Sequence, residues 1–115
     1  MKFIMRIIVT SVIAFGLSYI LSGVHIRNFW SAIVVAIVLA VLNAIVKPIL
    51  ILLTLPITLF TFGLFLFVIN AIIVLIAGEF VKGFVVDGFW WALLFSLLLS
   101  ILTSLLYREN TYSND

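Results

Sequence analysis

Gly23-Val24-His25-Ile26-Arg27-Asn28-Phe29-Trp30-Ser31-Ala32 returns further along the chain as Gly83-Phe84-Val85-Val86-Asp87-Gly88-Phe89-Trp90-Trp91-Ala92. Both blocks hold a glycine, a β-prone triplet, two charged or turn-forming residues and Phe-Trp-X-Ala. An apolar segment of helix length precedes each block and another follows it. Repetition at a fixed period signals a duplicated structural unit, here a helical hairpin. Only seven of the 36 positions aligned between 7–42 and 67–102 are identical, so the case for duplication rests on patterned chemistry.

The surroundings of these blocks place the hairpin in a bilayer. Of the 115 residues, 67% are hydrophobic and 9% are charged. Soluble domains are about half apolar and a quarter charged, and so few charges cannot coat a globule of this size. The length fits one domain, and lipid is the solvent that suits its surface. A net charge of +2 with no basic stripe argues against a nucleic-acid partner. With no cysteine, disulfides and thiol chemistry are excluded.

Four apolar segments can be read: about Ile7 to Leu21, Phe29 to Val46, a run without charge from Ile49 to Gly78, and Gly88 to Tyr107. A crossing takes about 20 residues. The first segment also has the form of a signal peptide, with Lys2 and Arg6 before it and Ser22-Gly23 after it. Its alignment with 67–82, which cannot be a signal, favours a membrane helix. The third run is too long for one crossing, and Pro48 and Pro56 interrupt its start. Proline lacks an amide hydrogen and disfavours helix in the residue before it. Residues 48–55 therefore read as a short interfacial or re-entrant helix, with the next crossing starting at Pro56. The alternative is one kinked helix from Phe29 through Leu55. The expected fold is all-α: a single integral membrane domain over 1–115, with repeat one at about 7–46, a linker helix at 48–55 and repeat two at 57–107.

Four crossings put Lys2, Arg6, Lys47 and Arg108 on one side, and Arg27 and Lys82 on the other with Glu79 and Asp87. Basic residues favour the cytoplasm, so both termini are expected there, in a bacterial inner membrane. The two hairpins then run parallel, related by a pseudo-two-fold axis along the membrane normal.

Two patterns inside the helices complete the architecture. Ala32, Ala36, Ala40 and Ala44 recur every four residues, and Ala92, Ser96, Ser100 and Ser104 occupy the equivalent positions in the second unit. Residues four apart share a helix face, and small side chains let helices approach closely in lipid. Both stripes are expected to face protein, within one chain or between copies. Counting inward from the loops, Thr10, Asn43, Asn70 and Thr103 should share one depth, roughly 20 Å below them. A buried amide without a partner is costly in hydrocarbon, so the two asparagines should point inward and bond to neighbours. This layer reads as helix–helix glue or as the lining of a polar path. Its lack of charge weighs against ion or proton transport.

In the loops, Trp30, Trp90 and Trp91 suit the membrane–water interface as anchors. The triplets Val24 to Ile26 and Phe84 to Val86 either pair as a small ribbon over the outer face or form two irregular loops. His25, the single histidine, has no second ligand near it in sequence, so no metal is expected. Glu79 and Asp87 read as solvated charges or as partners of Lys82 and Arg27. No nucleophile–base pair or phosphate loop is present. The expectation is a protein without catalytic residues or cofactors.

Leu42-Asn43-Ala44 through Lys47-Pro48, then LLTLPITLFTFGLF from Leu52 to Phe65, Asn70-Ala71, and VDGFWWAL from Val86 to Leu93 resemble the small bacterial membrane proteins of phage holin family 4, the mycobacteriophage holin superfamily IV with its YvlD-like members. The resemblance covers nearly the whole chain. It implies a four-helix inner-membrane protein and carries no catalytic residue with it. A holin oligomerises and opens a membrane lesion, and often ends in a strongly charged tail; the YRENTYSND ending here is short and weakly charged. The expected function is structural or envelope-related, in a homo-oligomer whose other partner is the lipid bilayer. A pore former is the alternative, and a minimal channel for small solutes has less support.

Overall fold

The computed structural model describes residues 2–113 and the side chains of residues 2–106. Helix α1 (Lys2–Ile20), strand β1 (Val24–Ile26) and helix α2 (Phe29–Leu53) come first. A short helix α3 (Leu55–Phe60) follows, and then the same order returns as helix α4 (Phe65–Phe80), strand β2 (Phe84–Val86) and helix α5 (Phe89–Ser113). α1, α2 and the Phe89–Leu106 part of α5 are long and apolar enough to cross a membrane, and α4 is a shorter apolar helix. Long apolar runs adopt helix in lipid because only the helix satisfies each backbone group within its own segment. Asn28 starts α2, its side-chain oxygen accepting the Ser31 N–H at 2.9 Å.

The four long helices form a ring. α1 packs on α2 and α5, and α4 packs on α2 and α5; among the described residues no Cα atoms of the diagonal pairs α1–α4 and α2–α5 come within 8 Å of one another. One end of the ring is closed by the ribbon. β1 and β2 pair antiparallel with Val24 opposite Val86, His25 opposite Val85 and Ile26 opposite Phe84. Two further bonds extend the pairing: Arg27 N–H donates to Gly83 O and Asp87 N–H to Gly23 O, both at 2.8 Å. The triplets thus form the ribbon, not two irregular loops.

Beneath the ribbon the interior is tightly closed. Val35, Phe84, Phe95, Ala32 and Ala92 are fully or almost fully buried. The Phe84 and Phe95 rings meet at 5.7 Å between centroids. Gly23 lies so close to the Trp91 ring that no side chain fits between them, and Gly83 lies near Ser31 and Arg27 with less crowding. Gly83 also holds φ +88, a conformation glycine adopts without strain.

The linker departs from expectation in two places. Residues 48–53 continue α2 without a break, and Pro48 sits inside that helix. Proline removes only one intrahelical bond, and neighbouring groups make good such losses in membrane helices. The separate helix lies one turn later, at Leu55–Phe60, with Pro56 in its first turn. α2 stops at Thr54, whose hydroxyl donates to Leu50 O at 2.7 Å.

The next long helix does not begin at Pro56 either. Phe62 and Gly63 both take positive φ, at 56° and 88°. Gly63 N–H reaches back to Thr58 O at 2.8 Å, a bond that closes the end of a helix. The Thr61 hydroxyl then accepts the Phe65 N–H at 3.1 Å and starts α4. Thr61-Phe62-Gly63 is therefore the punctuation that sets where α4 begins.

Candidate functional site

At the end of the ring away from the ribbon, α2 and α5 stand apart and leave a cleft of about 440 Å³. α1 contributes Phe3, Arg6, Ile7 and Thr10, one per turn or nearly so on a single face. α2 contributes Ala36, Leu39, Ala40, Asn43 and Ala44. α5 contributes Leu99, Ser100, Thr103 and Ser104.

The cleft exists because the facing side chains of the diagonal helices are small. Ala32, Ala36, Ala92 and Ser96, nearer the ribbon, are buried. Ala40 is half-buried, and Ala44, Ser100 and Ser104 are exposed along the cleft. Each stripe therefore divides: its ribbon-side half packs inside the ring and its other half borders open space.

The four residues expected at one depth are not all brought together. Thr10, Asn43 and Thr103 line the cleft, while Asn70 on α4 does not. Among the described residues, neither asparagine side chain makes the expected hydrogen bonds to neighbours; Asn43 is exposed and Asn70 half-buried. The Thr103 hydroxyl is buried without a partner. Elsewhere the helical hydroxyls behave differently. Ser11, Ser18 and Ser96 each donate to a carbonyl three or four residues back, at 2.7, 2.6 and 2.9 Å. In the cleft the hydroxyls of Thr10, Ser100, Thr103 and Ser104 make no such bond among the described residues.

At the ribbon end the side chains are arranged for an interface. Trp30 and Trp90 are 76% and 77% exposed. Trp91 instead folds over Gly23 and is half-buried, so it packs against protein as well as facing outward. His25 Nε2 lies 3.2 Å from Asp87 Oδ2. Sequence spacing had suggested Arg27 or Lys82 as the partner of Asp87; the antiparallel ribbon brings His25 beside it. Both side chains are more than half exposed, and exposed pairs contribute about 1 kcal/mol or less. His25→Ala should leave the melting temperature of the purified protein within roughly a few degrees of wild type, as measured by scanning fluorimetry.

A shallower depression of about 500 Å³ lies on α4 and β2, between Ile72, Ile76 and Glu79 on one side and Phe84 to Val86 on the other. It is mostly apolar and gathers no cluster of polar groups. No group of three or more His, Asp or Glu side chains able to hold a metal occurs among the described residues.

With this geometry in place, comparison with known proteins is informative. The family model described as mycobacterial 4 TMS phage holin, superfamily IV, matches residues 1–105. The uncharacterised membrane protein YvlD of Bacillus subtilis is 35% identical over 108 residues, covering 93% of this chain and 91% of its own length. An uncharacterised protein of Streptomyces coelicolor is 44% identical over 75 residues, covering 62% of this chain and 60% of its own. No solved structure matches.

Proposed function

The chain belongs to the family of mycobacterial four-segment phage holins, superfamily IV, and on that premise we propose that it is a non-enzymatic protein crossing the cytoplasmic membrane four times, with both termini inside. It self-associates and serves a structural, envelope-related role. The observation that carries this reading is the contrast between the two ends of the ring. The closed layer of Val35, Phe84 and Phe95 under the ribbon leaves a single copy no polar route through it, and the open end offers a binding cleft in place of a reaction centre.

For the fourth crossing, α4 supplies 16 residues, roughly 24 Å at 1.5 Å per residue. The turn and α3 before it make up the remaining depth. The tandem repeat is supported by the ribbon's register. Gly23 with Trp91 and Gly83 with Ser31 exchange when 60 is added to the first-unit number of a pair and subtracted from the second-unit number; so do the bonds Arg27–Gly83 and Asp87–Gly23. A two-fold axis along the membrane normal produces that exchange. For orientation, Lys2, Arg6 and Lys47 gather at the open end, against Arg27 and Lys82 at the ribbon. Arg108 lies outside the residues whose side chains are described.

Self-association is supported by Gly16, which faces outward on α1 with open space where a side chain would be. Val12 and Ile20 flank it, both exposed. Glycine inside a helix costs about 1 kcal/mol relative to alanine, and in lipid its use is close approach of another helix. Gly16→Leu should leave the monomer folded and reduce the assembled form in a native membrane extract.

The second reading is a holin-like pore former, favoured by the family description. It requires copies to assemble a path that one copy lacks. Inducible overexpression with a potential-sensitive dye separates the two. The structural reading expects the potential to persist despite good insertion. Rapid collapse and killing, abolished by Ala36→Leu with Ser100→Leu, would establish the pore. For topology, Asp87→Cys should react with a membrane-impermeant thiol reagent from the periplasm and Lys47→Cys should not.

A further inference from the structure

We propose that the cleft between α2 and α5 binds the phosphate headgroup of one anionic phospholipid from the adjoining leaflet. Its lining carries a distinct chemical signature. Every polar side chain there can donate a hydrogen bond: the Arg6 guanidinium, the Asn43 amide, and the hydroxyls of Thr10, Ser100, Thr103 and Ser104. Among the residues whose side chains are described, Arg6 is the one charged group and no carboxylate lines the space. Donors converging with a fixed positive charge complement an anion, and guanidinium pairs with phosphate through two parallel bonds. Lys2 lies one turn further out on the same side of α1 and adds to the positive field at the mouth.

Among the described residues one of these donors is also left unsatisfied by the protein. The Thr103 hydroxyl is buried with no partner, and an unpaired polar group in an apolar medium is costly. A headgroup's phosphate and ester oxygens supply acceptors for these donors. The deeper wall of Ala36, Leu39 and Leu99 is apolar and meets the glycerol and the first methylenes.

The chemistry of the lining favours a lipid over the other occupants. Among the residues whose side chains are described, a helix of a second copy offers no carboxylate at this end to meet Arg6. A free tetrahedral anion would leave the apolar wall bare.

The proposal rests on the topology proposed above only for which leaflet supplies the lipid. Its test in detergent is independent of orientation, so a reversed topology would change the leaflet and leave the binding result intact. The full chain is purified and titrated with phosphatidylglycerol or with phosphatidylcholine of the same acyl chains, and binding is read by native mass spectrometry. One phosphatidylglycerol per chain is expected, held at least tenfold more tightly than phosphatidylcholine. Arg6→Gln should weaken phosphatidylglycerol at least tenfold, and Ser100→Leu should abolish its binding by filling the cleft. Arg27→Gln, at the ribbon end, should change nothing. Arg6 is exposed, so its variant is expected to fold, and circular dichroism verifies this. Equal retention by Arg6→Gln and wild type overturns the proposal. So does equal binding of the two lipids, or displacement of phosphatidylglycerol by millimolar inorganic phosphate, which would make the site one for a free anion.

Discussion

Gly23→Ala lowers the melting temperature of the detergent-purified protein by roughly 10 °C. The reason is geometric. A Cβ on Gly23 falls inside the Trp91 indole, and the atoms it meets belong to the body of the ring rather than to a flexible end. Trp91 must leave its place or the ribbon must shift. Gly23 O also accepts the Asp87 N–H, so displacement of the strand loosens that bond as well. Overpacking of this kind costs about 1–3 kcal/mol, occasionally more. The contrast is Gly16→Ala, where nothing lies within 4 Å of the added carbon; that change should be neutral or slightly stabilising in the monomer. Scanning fluorimetry of the two variants side by side checks the pair. Equal melting temperatures would contradict the close packing of Trp91 on Gly23.

Phe95→Ala is the second destabilising substitution. Phe95 is completely buried, and its ring packs on Phe84, itself almost fully buried. In soluble proteins such a truncation costs about 3–5 kcal/mol, from lost transfer free energy together with the cavity left behind. A membrane protein retains less of the transfer part, because the unfolded helices remain in lipid. The lost dispersion contacts are felt in full, so a loss of about 2 kcal/mol is expected. The effect extends beyond stability, because Phe95 belongs to the layer that separates the cleft from the ribbon. A variant melting with wild type would show that this layer is not tightly packed.

Much of the fold was legible because lipid simplifies the problem. Apolar length and the repeated Gly…Phe-Trp blocks point to the helices and to the β-prone triplets that pair. Antiparallel pairing of the two units then brought His25 to Asp87 and Trp91 to Gly23, contacts spanning more than sixty residues that no local spacing discloses. Pro48 misled because its cost was judged by the standard of soluble helices. The true break lies at Thr54 and Thr61-Phe62-Gly63, where a helix-closing glycine follows a threonine that starts the next helix. That signal was available in LPITLFTFGLF.

The candidate site was legible in depth and illegible in direction. A count of residues along each helix sets how far a side chain lies from the ribbon, so Thr10, Asn43 and Thr103 do reach one cleft. Which helices border the opening depends on ring packing, and α4 with Asn70 falls outside it. For the same reason periodicity alone did not show that each small-residue stripe changes surroundings halfway along. Side-chain volume on the facing diagonal helix decides that point. Arg6 read as a topology signal, and its place at the mouth of the cleft emerges only from the assembled helices.

The central claim is a membrane protein closed beneath its ribbon and open to a polar cleft at the other end. The chain contains no cysteine, so single cysteines placed along α2 and α5 report without background. In sealed inverted vesicles treated with a membrane-impermeant thiol reagent, Ala44→Cys, Ser100→Cys and Ser104→Cys should react. Ala32→Cys and Ala92→Cys, at fully buried positions, should stay unlabelled from either side. Labelling of Ala32→Cys and Ala92→Cys at rates comparable to Ser104→Cys would reveal a continuous polar path and contradict the account.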